Sequence, residues 1–258
     1  MNRASIIIPA YNEEKRISKT LESYGNYFFT LKKNKKLDYE IIVVINNTTD
    51  NTENIVKKYI KKHKEIKYLN FRRGGKGFAV IKGFRDALKR KNDLIGFVDA
   101  DMATPPEEYA KLVLSVKNFD GAIADRYLKG SQVFPPITFR RLIVGRAFNF
   151  LIRSILFLPY RDTQCGAKVF KRKTIEKTLQ RLTMSKWAFD VELLFNMKKL
   201  GFIIVSFPTK WYDREYSKIN FLKASPWMAL AIVRLRIVNS PFRKFIRIYD
   251  KFIGFIPK

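Results

Sequence analysis

Short apolar runs alternate with longer amphipathic stretches through the first half of the chain. The runs at Ser5–Ile8, Glu40–Ile45, Ile66–Phe71, Leu94–Val98 and Gly121–Ala124 have the length and branched, apolar character of buried strands. Between them, Glu13–Lys32, Asn51–Lys62, Lys76–Lys89 and Pro106–Lys117 repeat apolar residues at helical spacing. Strands separated by helices predict an α/β fold with a mainly parallel sheet and crossover helices.

The texture changes after about residue 130. A Pro135-Pro136 break precedes an almost wholly apolar segment, Leu142–Leu158, in which Arg146, Asn149 and Arg153 share one helix face. Its pattern fits a core helix and also a helix lying in a membrane interface, with Arg140 and Arg141 adding charge at its start. A further amphipathic helix begins near Trp187, and Ile203–Phe207 reads as a late strand. Two amphipathic segments close the chain. Trp227–Val238 carries Arg234 and Arg236, and Phe242–Ile256 repeats Phe and Tyr at steps of three and four beside Arg243, Arg247 and Lys251. Basic helices rich in Phe suit a membrane surface, and packing against the domain is the alternative. The expected organisation is one domain over residues 1–220, including an interfacial helix near 138–158, followed by amphipathic surface helices over 221–258.

Composition sharpens this picture in two respects. Lys and Arg number 51 against 23 Asp and Glu, a formal net charge of +28, so the partners are anionic: phosphorylated substrates, an anionic membrane or nucleic acid. No helix-turn-helix or RNA-recognition signature accompanies the charge, so nucleic acid is not expected. The single cysteine, Cys165, excludes an internal disulfide framework, and the single histidine, His63, sits in a lysine-rich helix face. Chemistry built on a histidine triad is not expected. No signal peptide is visible, and no stretch reaches the roughly 18 uncharged apolar residues of a spanning helix; the expectation is peripheral attachment at the cytoplasmic face of a membrane.

The stretch with the clearest chemistry is Leu94-Ile-Gly-Phe-Val-Asp99-Ala-Asp101-Met-Ala-Thr-Pro105-Pro106. Side chains two apart in a strand point the same way, so Asp99 and Asp101 converge at the carboxyl edge of a sheet, where open α/β folds bind ligands. Two hard oxygen donors suit Mg2+ or Mn2+. An Asp-rich turn capping the next helix has the same sequence.

The flanking motifs separate these readings. Ile8-Pro9-Ala10-Tyr11-Asn12-Glu13-Glu14, Gly75-Lys76-Gly77-x-Ala79-Val80, Asp99-Ala-Asp101, Arg161-Asp-Thr-Gln-Cys-Gly166, Trp187-Ala-Phe-Asp190-Val-Glu192-Leu and Ser217-Lys218 occur in an order that resembles the family 2 glycosyltransferases. The branch most resembled contains the dolichyl-phosphate glucosyltransferases and mannosyltransferases. The resemblance implies a GT-A fold and transfer of a hexose from a nucleotide-diphosphate sugar to a polyprenyl or dolichyl phosphate. It implies that Pro9, Tyr11 and Glu13 line the nucleotide pocket, and that Lys76 and Gly77 lie near the nucleotide sugar. Asp99 and Asp101 would bind sugar and metal-diphosphate, with Asp101 the direct metal ligand. Arg126, Arg140, Arg214, Ser217 and Lys218 would face the acceptor phosphate.

Two departures matter. Asn46 stands where the family carries an acid that reads the nucleobase, and an amide donates as well as accepts. Ala103 stands where the mannosyltransferases often carry Gln, which favours UDP-glucose as the donor. An acceptor phosphate needs no general base, and this implies direct, inverting attack on the sugar. Transfer to a glycan hydroxyl would instead need a carboxylate base, for which Asp190 and Glu192 are candidates. Mannose as the donor sugar, and a catalytically inactive basic module, complete the alternatives.

Overall fold

In the computed structural model, residues 1–136, 138–182, 188–213 and 221–252 are described. Nine strands run in chain order among them: β1 Arg3–Ala10, β2 Asp38–Asn46, β3 Ile66–Phe71, β4 Leu94–Phe97, β5 Gly121–Asp125, β6 Gln132–Phe134, β7 Lys168–Lys171, β8 Ile204–Pro208 and β9 Lys210–Tyr212. The helices are α1 Ile17–Lys33, α2 Thr52–Lys62, α3 Lys76–Ala87, α4 Pro106–Ser115, α5 Phe139–Leu156, α6 Arg172–Leu179, α7 Phe189–Lys199, α8 Phe221–Val238 and α9 Ile246–Phe252, with a 3-10 turn at Pro241–Phe245.

Seven strands form one sheet in the order β3-β2-β1-β4-β7-β5-β8, and β6 pairs with β9 in a small second sheet. All neighbours in the large sheet are parallel except at β7, which runs antiparallel to both β4 and β5. The expected parallel sheet is therefore interrupted by one strand that the apolar pattern does not announce. β7 is only four residues long and carries Lys168 and Lys171, too little alternation to stand out.

The central strands are buried on both faces, which explains their uninterrupted apolar runs. Ile6 and Ile8 enter one core layer with α1 and α4, while Ile7 and Ile42 enter the other with α3, α5, α7 and α8. The alternation follows from the two-residue period of a strand. α1 contributes Ile17, Leu21, Tyr24, Phe28 and Leu31 at steps of three and four.

The helix expected from Glu13 starts at Ile17. Asn12 takes a left-handed φ of 52°, and the Glu13 amide donates to Thr52 Oγ1 at 2.8 Å, so this segment is a turn tied to the loop after β2. In α5, the expected polar stripe divides: Asn149 is buried and accepts from the Thr163 amide at 3.4 Å, while Arg146 and Arg153 are exposed. Phe148, Ile152 and Leu156 face the core, and Phe139, Ile143 and Phe150 are exposed. α8 packs through Ala231, Ile232 and Leu235 into the layer shared with α5 and α7. α9 folds back on it, with Arg234 Nε 2.7 Å from Asp250 and the Tyr249 hydroxyl donating to Leu230 O at 2.9 Å. Phe242, Phe245 and Ile248 remain exposed. No described helix is long and apolar enough to cross a membrane.

Candidate active site

The carboxyl ends of β1, β2 and β4 each close in a residue of left-handed backbone: Asn12, Asn47 and Met102. Asn adopts this conformation readily, whereas Met102, at φ 60°, does so against its own preference. That strain lies directly beside Asp101. β4 ends at Phe97, so Asp99 and Asp101 are brought together by a tight turn and not by strand alternation as expected. The Asp101 carboxylate accepts from the Ala103 amide at 3.0 Å, which holds the turn. Burial, and then the neighbouring Asp99 carboxylate, push the Asp101 carboxyl above its ordinary range. Such a pair of acids, short of compensation, is a ready acceptor of positive charge.

Asp99 already faces one cation. Lys76, at the start of α3, places Nζ 2.6 Å from Asp99 and 3.9 Å from Asp190. Burial opposes the ammonium, but Asp99 and Asp190 outweigh it, so Lys76 is held protonated. Asp190 is bracketed from the other side by Lys168, whose Nζ lies 2.7 Å away and also donates to Cys165 O at 2.5 Å. Lys168 is fully buried. The chain Asp99–Lys76–Asp190–Lys168 thus joins four separated motifs. It makes Asp190 an ion-pair partner of two lysines. Glu192 is fully buried in the first turn of α7.

The loop 161–166 touches both halves of the site. At one end, a Cβ on Gly166 would lie 1.8 Å from Asp99 Oδ2, so only glycine admits the carboxylate there. At the other, Asp162 accepts a two-pronged bond from Arg126, at 2.7 Å from Nε and 3.0 Å from Nη2. Asp162 also caps its own loop, accepting from the amides of Gln164 and Cys165. Burial alone would raise the Asp162 carboxyl, yet Arg126 overrides it and holds the group below the usual carboxylate range. The Arg126 guanidinium lies 5.0 Å from the Trp211 ring and 5.8 Å from that of Tyr127. Cys165 is buried, and its thiol is pushed up to about 12, which makes it inert.

Asn46, read as a replacement for an acid, is buried and fully used. Its Nδ2 donates to Ala10 O at 2.9 Å and its Oδ1 accepts from the Gly75 amide at 3.0 Å. A carboxylate cannot make the first bond. Asn46 therefore links the end of β1 to the glycine loop that delivers Lys76. Gly77 packs against Phe189, where a Cβ would come within 2.7 Å. Glu13 is paired with Arg16 at 2.6 Å, Pro9 is buried in β1, and Tyr11 is exposed at its end. Arg140 lies in α5 with its side chain outside the described residues, as are Arg214, Ser217 and Lys218 entirely. Asp162, Lys168 and Trp211 were assigned no role from sequence. Asp162 was within a quoted motif, whereas Lys168 and Trp211 have no local signal, because their partners lie far away in the chain.

A doubly wound sheet with a paired-aspartate turn at the carboxyl end of its fourth strand defines a GT-A glycosyltransferase. Solved structures agree in fold: a mannosyltransferase from Pyrobaculum calidifontis in complex with GDP-Man and Mn2+ matches with a TM-score of 0.60 and 19% identity over 92% of this chain and 63% of that one. The S. aureus TarS 1-349 structure matches with a TM-score of 0.59 and 18% identity over 93% of this chain and 66% of that one. The chain spans a little under two thirds of these two structures. Residues 5–179 match the family model described as Glycosyl transferase family 2, and the chain belongs to that family. It is similar to the dolichyl-phosphate beta-glucosyltransferase of Dictyostelium discoideum, 31% identical over 90% of this chain and 73% of the relative. It is also similar to the protein of that name from Drosophila melanogaster, 34% identical over 84% and 69%.

Proposed function

We propose that this protein is an inverting glucosyltransferase that moves glucose from UDP-glucose to a polyprenyl or dolichyl phosphate at the cytoplasmic face of a membrane. The observation that carries this reading is the loop 161–166, which contacts Asp99 through Gly166 and Arg126 through Asp162. One short segment couples the acids suited to a nucleotide diphosphate with the arginine suited to a second phosphate.

The donor set fits a divalent cation. Asp99 and Asp101 supply hard oxygens, and no cluster of three or more ligating side chains occurs among the described residues. A site of that kind is completed by diphosphate oxygens, as Mg2+ binding with few protein carboxylates usually is. Asp101 and Asp99 would hold Mg2+ or Mn2+, which when bound would supply positive charge for the departing diphosphate. Lys76, protonated beside Asp99, adds a second positive charge next to the acids suited to the diphosphate. An acceptor phosphate is already ionised near neutral pH, with a second pKa of about 6, so its oxygen attacks the anomeric carbon without a base. The bond from that carbon to the diphosphate breaks, the electron pair leaves with UDP, and the configuration inverts. Arg126, held by Asp162 through Nε and Nη2, keeps further N–H groups that can hydrogen-bond the acceptor phosphate, and the excess of basic side chains offsets the repulsion between the two anions. Asp190, bracketed by Lys76 and Lys168, supports this base-free route over transfer to a hydroxyl.

The net charge of +28 and the exposed Phe139, Phe150, Phe242 and Phe245 support attachment to an anionic surface. The test is incubation with a panel of nucleotide sugars, polyprenyl phosphate and Mg2+ or Mn2+, with lipid-linked sugar as the readout. Glucose on the lipid from UDP-glucose is expected. Transfer solely to a hydroxyl acceptor would overturn the reading, and mannose from GDP-mannose would correct the donor.

A further inference from the structure

The Arg126 guanidinium is committed: Nε and Nη2 are bonded to buried Asp162, and the pair is neutral as a unit. A second guanidinium stands on the same aromatic ring. Arg146, one turn before Asn149 on α5, lies 5.8 Å from the Tyr127 centroid, the distance at which Arg126 also lies from it. Arg146 is exposed, and among the described residues no carboxylate pairs with it. Asp162 pairs with Arg126, and Asp125, which accepts from the Tyr127 amide at 2.9 Å, has its carboxyl pushed up by burial, so neither acid is an ion-pair partner for the Arg146 guanidinium. An anion placed beside Tyr127 relieves the repulsion between the two guanidinium groups.

The location fits the chemistry. β5, which leads into Arg126, is two strands from β4 in the sheet, so about 10 Å separates the acceptor arginine from the paired aspartates at a spacing of about 4.8 Å per strand. The helix that presents Arg146 also exposes Phe139, Ile143 and Phe150, side chains suited to an acyl or isoprenoid chain. We infer that Arg146, stacked on Tyr127, binds the phosphate monoester of the lipid acceptor. Arg126 is the fixed wall of that subsite and Arg146 its adjustable one. This rests on the acceptor reading above and adds to it a residue that carries the headgroup.

Titration calorimetry with farnesyl phosphate, a short water-soluble isoprenoid phosphate, tests the assignment independently of turnover. Inorganic phosphate and farnesol serve as the arms that separate the headgroup from the chain. Arg146→Ala is compared with Arg153→Ala, which removes the same charge elsewhere on α5. Loss of a charge-assisted phosphate contact should weaken farnesyl phosphate binding about tenfold more in Arg146→Ala than in Arg153→Ala, with Arg146→Lys in between. In turnover, the KM for the acceptor should rise while that for the nucleotide sugar is unchanged. Equal effects of the two alanine variants would overturn the inference, since they would mean a general loss of charge. So would a difference seen only with long-chain acceptor in vesicles, which would mark Arg146 as a membrane anchor. Intact binding of farnesyl phosphate, lost in Arg146→Ala, without lipid-linked sugar from any donor, would sink the proposed activity and leave the phosphate subsite standing. Absence of binding by the unaltered protein would overturn both.

Discussion

Two clusters of charge sit at opposite edges of the same sheet, one buried and one half-buried, and they are built on opposite principles. At the amino edge, Glu40 is buried and saturated: it accepts from the Ser5 hydroxyl at 2.7 Å, Asn92 Nδ2 at 3.1 Å, Arg90 Nε at 2.9 Å and Lys67 Nζ at 3.2 Å. Burial opposes its ionisation, and these donors outweigh burial, so its carboxyl is held below the ordinary value. At the carboxyl edge, Asp99 and Asp101 lie together next to a strained Met102, with Asp101 pushed the other way. The same residue types give a saturated clasp at one end and, at the other, a pair in which Lys76 meets Asp99 while no described cation forms an ion pair with Asp101. The difference teaches where function is located: a carboxylate with every lone pair answered stabilises the fold, while one short of cations is poised to bind them.

Exchange of the roles is the most severe way to break the comparison. Asp101→Ala should abolish transfer, a loss of at least about 10³-fold, because the diphosphate loses its cation. Its melting temperature should be unchanged or slightly higher, since a disfavoured charge is removed. Glu40→Ala should do the reverse. It leaves Arg90 and Lys67 facing a buried void, at a cost of about 3 kcal/mol, while activity per folded molecule is retained. Thermal unfolding and specific activity measured on both variants decide the matter; equal stability losses would mean that the carboxyl edge is as structural as the amino edge.

A smaller effect is expected where the backbone, not a charge, sets the geometry. In Gly166→Ala, the new methyl must displace the Asp99 carboxylate, because the undisturbed position lies 1.8 Å from Oδ2. A misplacement of about 1 Å at reacting groups costs roughly 10²-fold in rate. Nucleotide binding by calorimetry should weaken in parallel. Wild-type turnover in Gly166→Ala would show that Asp99 is not held where the structure places it.

How much of this was legible in the sequence differs by element. The strands β1, β2, β4 and β5 follow from their apolar runs, because strands covered on both faces have little polar alternation to confuse the pattern, whereas the edge strand β3 exposes Lys67 and Asn70. β7 was not legible: its position between β4 and β5 depends on pairings with residues 45 to 77 positions away in the chain, such as Gly96 with Val169 and Gly121 with Phe170. Asp99 and Asp101 were legible as a pair, but the reason they converge is the turn at Met102, which no propensity foretells. Lys168 in sequence is one lysine among many; only burial between Asp190 and Cys165 distinguishes it. Asn46 shows the converse. It stood out as a lost acid, whereas its two hydrogen bonds give it a positive task.

That task yields a prediction of intermediate size. Asn46→Asp replaces the donor to Ala10 O with a second acceptor, so two oxygens face each other where the Nδ2–O distance is 2.9 Å. The loss of one buried hydrogen bond and the exposed mismatch cost about 1–3 kcal/mol. The glycine loop should shift, and Lys76 with it. The expected outcome is a raised KM for the nucleotide sugar with the acceptor KM unchanged. An improved KM for UDP-glucose would mean that Asn46 reads the base directly and that its links to Ala10 and Gly75 are incidental.

The smallest effect separates the two edges by pH. The Glu40 carboxyl is held below its ordinary value, so its contribution is fully present above the unfolded value and fades as pH falls through the folded one. The Asp101 carboxyl is held above, so the folded chain binds that proton more tightly than the unfolded chain does. Stability therefore declines as pH rises from the ordinary carboxylate value to the raised one, and stays lower beyond it. In chelator, Asp101→Asn should remove this decline and leave the acid limb of the stability curve untouched. Glu40→Gln should flatten the acid limb and leave the decline in place. Chemical denaturation from pH 3 to 8 measures both, and a curve unaltered by Asp101→Asn would show that Asp101 is as well compensated as Glu40.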